Sequence, residues 1–295
     1  MRVLVAGSSG LIGTALVAHL RSGGHDVLRL VRRAPAAPDE RGWDPPAGTY
    51  DDGTFDGVDA VIGLNGVGIA DRPWSGARKQ AIRDSRNVPT EVLATAVAKH
   101  GVPTFLSASA VGYYGHTGDT VVDESAPSGH GFVAEVVRDW EAATKPAVDG
   151  GARVVTLRTG LVLSPSGGLL GTLRGLFRFA LGARLGDGRQ YMSWISLDDE
   201  IGAMAFLLDA AVRGPVNLTG PNPVTNAEFT KALAEAVGRP APFVVPAFVI
   251  RRALGSMGEE LALYGQRAVP RKLEEAGYPF CHVTVRDALA TAVGA

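Results

Sequence analysis

The chain has a single cysteine, Cys281, in 295 residues, so an intrachain disulfide and a cysteine-built metal cluster are both excluded. No apolar run approaches the ~20 residues that span a bilayer. The opening Met1-Arg2-Val3-Leu4-Val5-Ala6-Gly7 is too short an apolar stretch for a secretory leader and reads as a strand. An excess of charge is also missing: 29 Lys and Arg stand against 30 Asp and Glu, with a net charge of -1 and a pI near 6.6. Nothing global then attracts nucleic acid or an anionic membrane, and any anion site must be local. There is no internal repeat and no low-complexity tract. These absences describe a soluble, cytoplasmic monomer or homodimer with no metal, nucleic-acid or membrane partner.

What is present is 46% hydrophobic and 20% charged residues, enough to bury a large core over about two domains. Apolar, β-branched runs at Arg2 to Ala6, Asp26 to Val31, Ala60 to Leu64, Thr104 to Ser107, Arg153 to Arg158 and Pro215 to Leu218 predict strands. Helical spacing occupies Leu11 to Ser22, Ala77 to Asp84, Thr90 to His100 and Val133 to Val148 between them. This alternation is the βαβ pattern of a Rossmann-type, doubly wound parallel sheet, an α/β fold. Residues 1-160 are assigned to that domain, with a further contribution from about 190-220. Residues 161-295, rich in Gly and then Pro, are assigned to the substrate cleft and a smaller C-terminal α/β cap, with helices at Asn226 to Val237 and Pro246 to Leu254. Arg33 to Gly53, dense in Pro, Asp and Gly, reads as a surface excursion.

Gly7-Ser8-Ser9-Gly10-Leu11-Ile12-Gly13 is a G-x-x-G-x-x-G that leaves a strand and opens a helix. Glycines in this place let the backbone turn and approach a pyrophosphate, whose charge meets the free N-H groups of the helix start. The second strand continues as Val31-Arg32-Arg33, with no carboxylate to hold the ribose hydroxyls of NAD. Two guanidinium groups there suit a 2′-phosphate, so the expected cofactor is NADP(H). Leu64, Asn65, Gly66, Arg86, Ser107, Arg158 and Thr159 are also assigned to the cofactor.

Several further segments resemble one family as a set. They are Trp43-Asp44-Pro45, Trp74 to Thr90 with Lys79 and Ser85-Arg86, Ser107 to Gly115, Trp140-Glu141, Leu157-Arg158-Thr159-Gly160, Trp194 to Asp199, Asn217-Leu218-Thr219 and Pro270-Arg271-Lys272-Leu273. Over nearly its whole length the chain resembles the "epimerase family proteins", atypical extended short-chain dehydrogenases/reductases with a small extra C-terminal domain. The resemblance implies a Rossmann domain binding NADP(H) and a cleft roofed by the C-terminal part.

Ordinary members of that superfamily move the substrate proton with a Tyr whose pKa is lowered by a Lys four residues on. That pair falls where this chain reads Gly131-Phe132-Val133-Ala134-Glu135-Val136-Val137-Arg138, and no Tyr-x-x-x-Lys occurs anywhere. Ser109, Tyr113 and Tyr114 remain as catalytic candidates, with Lys79, Arg86 or Arg158 as a cation to lower a phenol. Packing explains the tyrosines equally well. Glu135, Asp139 and Glu141 read as a solvated helix face that could include a base, and His116 and His130 as loop histidines. Arg189, Gln190 and Trp194 are candidate substrate contacts, and Asp198 or Asp199 is a candidate helix N-cap. The function expected is an NADP(H)-binding oxidoreductase or epimerase-like protein acting on a carbonyl or sugar-like molecule. The alternative is a catalytically silent NADP(H) sensor or structural binding protein.

Overall fold

The computed structural model describes residues 1–294. Its main sheet has eight strands: β1 (Arg2–Ala6), β2 (Asp26–Val31), β3 (Glu40–Asp44), β4 (Thr49–Tyr50), β5 (Ala60–Gly63), β6 (Thr104–Ala110), β8 (Arg153–Thr159) and β13 (Gly214–Leu218). Short pairs complete the set: β7 (Val121–Val122) with β16 (Arg267–Ala268), β9 (Leu161–Leu163) with β12 (Trp194–Ser196), β10 (Ala183–Leu185) with β15 (Phe243–Val245), and β11 (Tyr191–Met192) with β14 (Val224–Thr225). The main order is β13-β8-β6-β5-β1-β2-β3-β4, parallel except for the terminal β3–β4 hairpin. Because β1 lies between β2 and β5, the chain winds away from it in both directions. The crevice of such a sheet opens at the carboxyl ends of those central strands.

Central strands buried on both faces need helices on both sides, and the apolar runs of β1 and β5 are wholly buried apart from Arg2. Helices α1 (Leu11–Ser22) and α6 (Leu197–Asp209) cover one face with Leu16, Leu20, Met204 and Leu207. The other face is covered by α2 (Gly76–His100) and α4 (Lys145–Asp149), through Leu93, Val97 and Ala147. Beside α2 lies α3 (Phe132–Ala142). A separate core forms where α5 (Gly168–Arg178), α7 (Asn226–Val237) and α10 (Val285–Gly294) enclose Trp194, Phe229 and Leu289. The C-terminal part also holds α8 (Ala247–Gly258), a π-helical turn at Glu259–Leu263, and α9 (Arg271–Glu275). No helix of the described residues is long and apolar enough to cross a membrane.

Three segments depart from the sequence expectation. The helices expected at Ala77 to Asp84 and Thr90 to His100 are one element, α2, running through Pro89. A proline inside a helix costs about 3 kcal/mol. Burying Ile82, Leu93 and Val97 offsets that, at about 1.5–3 kcal/mol for each large side chain. The expected helix from Val133 to Val148 is broken into α3 and α4 at Ala143–Thr144. Arg33 to Gly53 is not a plain excursion, since it supplies β3 and β4, with Glu40 beside Arg29 and Trp43 buried.

Candidate functional site

The glycine motif sits at the carboxyl end of β1, in the crevice. Gly7 has φ +81°, and a Cβ there would lie 2.7 Å from the Leu64 carbonyl oxygen. A Cβ on Gly13 would run into the Gly7 carbonyl. These two glycines are therefore required by the fold itself. Gly10 differs: its Cβ would meet nothing nearer than the Gly7 oxygen at 3.5 Å, so the space before it is open. No side chain caps α1, and its first turn has no acidic residue. The N-H groups of Leu11 and Ile12 belong to a helix start that lacks both a cap and a competing carboxylate, which suits a phosphate. Ser8 is half-buried and Ser9 exposed at this turn.

At the end of β2 the two arginines part. Arg33 donates to Glu40 through Nη1 at 2.8 Å and Nη2 at 2.6 Å, so its guanidinium is committed to a buried carboxylate. Arg32 has no acidic partner among the described residues and lines a cavity of about 480 Å³ with Pro45, Asn65, Gly66, Ser85 and Val88. The Oδ1 of Asn65 is buried there without a partner.

Next to it lies a cleft of about 290 Å³. Val133 and Val137, four residues apart on α3, both face it, together with Ala134 and Trp140. Phe132, where the family's tyrosine was expected, instead packs against Trp74 at a centroid distance of 4.8 Å, with Lys79 Nζ 4.7 Å above its ring. The helix positions that look into the cleft at the Tyr-x-x-x-Lys spacing are thus two valines. Lys79 is engaged on aromatic rings and is not placed beside a phenol of the cleft.

Arg86 is the cation of this cleft. It donates through Nη1 to Ile82 O at 3.1 Å and through Nη2 to Val67 O at 3.1 Å, and lies over Trp140. No carboxylate meets it among the described residues, and burial, aided by the charge of Arg78, pushes it down to about 10. It is still cationic at neutral pH. Thr159 and Gly160 line the same cleft from the end of β8, whereas Ser107 is buried in β6 and away from it.

The catalytic candidates fall into a buried network behind the cleft. Ser109 Oγ donates to Glu141 Oε1 at 2.6 Å, and Arg158 meets both oxygens of that carboxylate at 2.8 and 2.9 Å. Arg158 Nη1 also reaches Tyr114 Oη at 3.0 Å, and Tyr114 donates to Asn217 Oδ1 at 2.8 Å. Burial pushes the Tyr114 phenol up to about 12, although Arg158 and Asn217 pull the other way. Such a phenol is neither a free acid nor a free base. Tyr113 stacks on the Arg158 guanidinium at 3.5 Å and does not line the cleft. Ser109, Tyr113, Tyr114 and Arg158 thus sit together in one polar core whose carboxylate is Glu141, and none of the four lines the cleft. Glu135 and Asp139, by contrast, pair with Arg83 at the surface.

Two substrate candidates are also structural. Gln190 is buried and donates to the carbonyls of Leu185 and Ala262, and Trp194, fully buried, donates to Asn222 O. Arg189 is exposed, 3.6 Å from Asp119, beside a different cavity from the cleft. Ser196, not Asp198 or Asp199, caps α6, and Asp199 instead receives the backbone N-H groups of Cys281 and His282. His116 accepts from Gly265 N and stacks on Tyr264, while exposed His130 stands at the cleft wall.

Sequence reasoning missed two acids. Glu260 accepts from Phe132 N at 3.2 Å and Val133 N at 2.9 Å, closing the start of α3 from the C-terminal part. Glu200, fully buried, takes a hydrogen bond from Thr159 Oγ1 at 2.8 Å, and its Oε2 has no partner. Burial pushes it up to about 8.

A phosphate seat at the switch point of a parallel sheet, with an unpaired arginine one strand away, defines a dinucleotide-binding protein of the Rossmann class. Comparison with known proteins narrows this. The NAD dependent epimerase/dehydratase family matches residues 3–219, and Domain of unknown function (DUF1731) matches residues 245–292. The chain belongs to the NAD dependent epimerase/dehydratase family. It is 57% identical to an epimerase family protein of Mycobacterium bovis over 291 residues, 98% of this chain and 97% of the relative. The crystal structure of human epimerase family protein SDR39U1 with NADPH is similar at a TM-score of 0.91 and 32% identity, covering 100% of this chain and 99% of that one. A nucleoside-diphosphate sugar epimerase from Corynebacterium glutamicum is similar at a TM-score of 0.83 and 40% identity, over all of this chain and 58% of that one.

Proposed function

We propose that the protein binds NADP(H) and reduces a small carbonyl or sugar-like compound in the cleft beside Arg86. The observation that carries this reading is the pairing of an unneutralised guanidinium with a helix face of Val133 and Val137. Preference for NADP(H) rests on Arg32, free at the strand end where an NAD binder keeps a carboxylate. The NADPH of the human relative's structure supports it.

Oxidising an alcohol, the opening step of epimerisation through a ketone, needs a base for the hydroxyl proton. Val133 and Val137 supply none, Ser109 is spent on Glu141, Tyr114 is closed off and Glu260 is held by the N-H groups of α3, which leaves exposed His130 and the phenols of Tyr191 and Tyr264 at the cleft wall. Reduction needs donors for the substrate oxygen as it becomes anionic, and then one proton on that oxygen, delivered by His130 at the cleft wall or by water entering the open cleft. Arg86 has five N-H hydrogens, and its bonds to Ile82, Ser85 and Val67 leave some of them over. Bound NADPH supplies the hydride. Val133, Ala134 and Val137 give the cleft an apolar wall on the side of α3. A volume of about 290 Å³ suits a compound at the small end of the usual ligand range.

NADPH absorbance followed against small aldehydes, ketones and conjugated carbonyls is expected to reveal turnover. Arg86→Gln is expected to lower kcat/KM about a hundredfold with NADPH binding retained. Unchanged turnover in that variant overturns the role of Arg86. If no compound turns over, the second reading stands: an NADP(H)-binding regulatory protein, which the two valines equally support.

A further inference from the structure

An unassigned apolar surface is built from two segments, residues 168–186 and 239–258. They meet where β10 and β15 pair in parallel, Ala183 beside Phe243 and Leu185 beside Val245. Among the described residues, nine of the fourteen large hydrophobic side chains left exposed lie in these segments. Exposed apolar residues are ordinarily scattered singly, so this concentration marks a face that something covers. Phe179 is 80% exposed and Phe248 71%. Leu181 stands just before β10, Phe243 and Val244 lie in β15, and Phe248 and Val249 open α8, forming a strip along one ribbon and its flanks.

Charge indicates what covers it. The two segments carry six arginines and no acidic residue, in a chain whose net charge is -1. Arg178, Arg239, Arg251 and Arg252 are exposed. Arg251 meets Glu259 at 3.1 Å, and the other three have no acidic partner among the described residues. A second copy docked through the same face about a two-fold axis would set these arginines against one another. An anionic lipid surface accommodates both features, taking the phenyl rings into the headgroup boundary and the guanidinium groups against the lipid phosphates and carboxylates. We propose that this face docks the protein on an anionic lipid surface. Leu169, 43% exposed at the start of α5, also lines the cleft, so the docked face continues into the cleft wall. The near-zero net charge concealed this face because the acids lie elsewhere.

Vesicle flotation tests it independently of any chemistry in the cleft. Vesicles of phosphatidylcholine with roughly 30% phosphatidylserine are compared with pure phosphatidylcholine, at low and high salt. Binding is expected on the serine-containing vesicles, weakening with salt, and at least about tenfold less on the neutral ones. Phe179→Ser with Phe248→Ser, and separately Arg178→Glu with Arg252→Glu, are each expected to weaken binding by at least about tenfold. An NADPH-induced rise in melting temperature checks that each variant is folded. Equal affinity for the two vesicle types, or full binding by both variants, overturns the proposal. So does a dimer in sedimentation that the double Phe variant abolishes, which would give the face to a second copy.

Discussion

Replacing Glu200 by Gln should stabilise the protein, and by an amount that depends on pH. Glu200 is fully buried, holds one hydrogen bond from Thr159 and leaves Oε2 unpartnered. In the unfolded chain its carboxyl titrates near ~4.3, whereas in the fold burial pushes it up to about 8. Between those values the unfolded chain has released a proton that the folded protein still holds, so stability falls as pH rises through the window. Gln keeps the shape and the acceptor for Thr159 and does not titrate. Linkage makes the pH-dependent part of the gain of Glu200→Gln on the order of 1 kcal/mol at pH 5, rising to several kcal/mol by pH 9. Urea unfolding of both proteins at these pH values measures it. A difference that stays flat from pH 5 to pH 9 refutes the reasoning, because it would mean that Glu200 is already ionised in the fold.

Calorimetric titration should show NADPH binding at least about tenfold tighter than NADH, with Arg32→Ala removing the preference. Arg33→Ala should leave selectivity unchanged and lower the melting temperature instead, because buried Glu40 loses the closer of its two arginine partners. Gly10→Val is expected to keep the wild-type melting temperature but lose the NADPH-induced rise, since only the ligand's space is filled. Gly13→Ala should lower melting by more than about 5 °C before any ligand is added. Tyr114→Phe should cost about 1–2 kcal/mol in chemical unfolding and leave turnover of any substrate found by the NADPH screen within about twofold.

Local pattern made much of the fold legible. The βαβ alternation and the glycine turn are written in residues close in the chain, so β1, α1 and β2 lie where spacing put them. Pro89 misled because a propensity penalty is local while the burial that offsets it is tertiary. Trp43 and Glu40 concealed a strand, since their partners Tyr50, Arg29 and Arg33 are not marked by composition. The site was less legible, because side-chain direction depends on distant partners. Gln190 is claimed by Ala262, Trp194 by Asn222 and Tyr114 by Asn217. A shift of one residue along α3 was enough to exchange Phe132 for Val133 in the cleft. Glu200 did leave a signal: it shares a helix face with Ala203, Met204 and Leu207, where an acid is out of pattern.

The way the C-terminal third returns to the sheet has a consequence for the newly made chain. β8 leaves the ribosome well before β13, and until residues 214–218 follow it remains an open strand edge. Asp199 waits longer still, because Cys281 and His282, whose N-H groups meet its buried carboxylate, are made 82 and 83 residues after it. Glu260 likewise closes the start of α3 only after α8 has been synthesised. The nascent protein therefore passes through a stage in which its dinucleotide turn is complete while one sheet edge and a buried acid are still unsealed. That is the interval in which a chaperone, or an early-bound nucleotide, has most to protect.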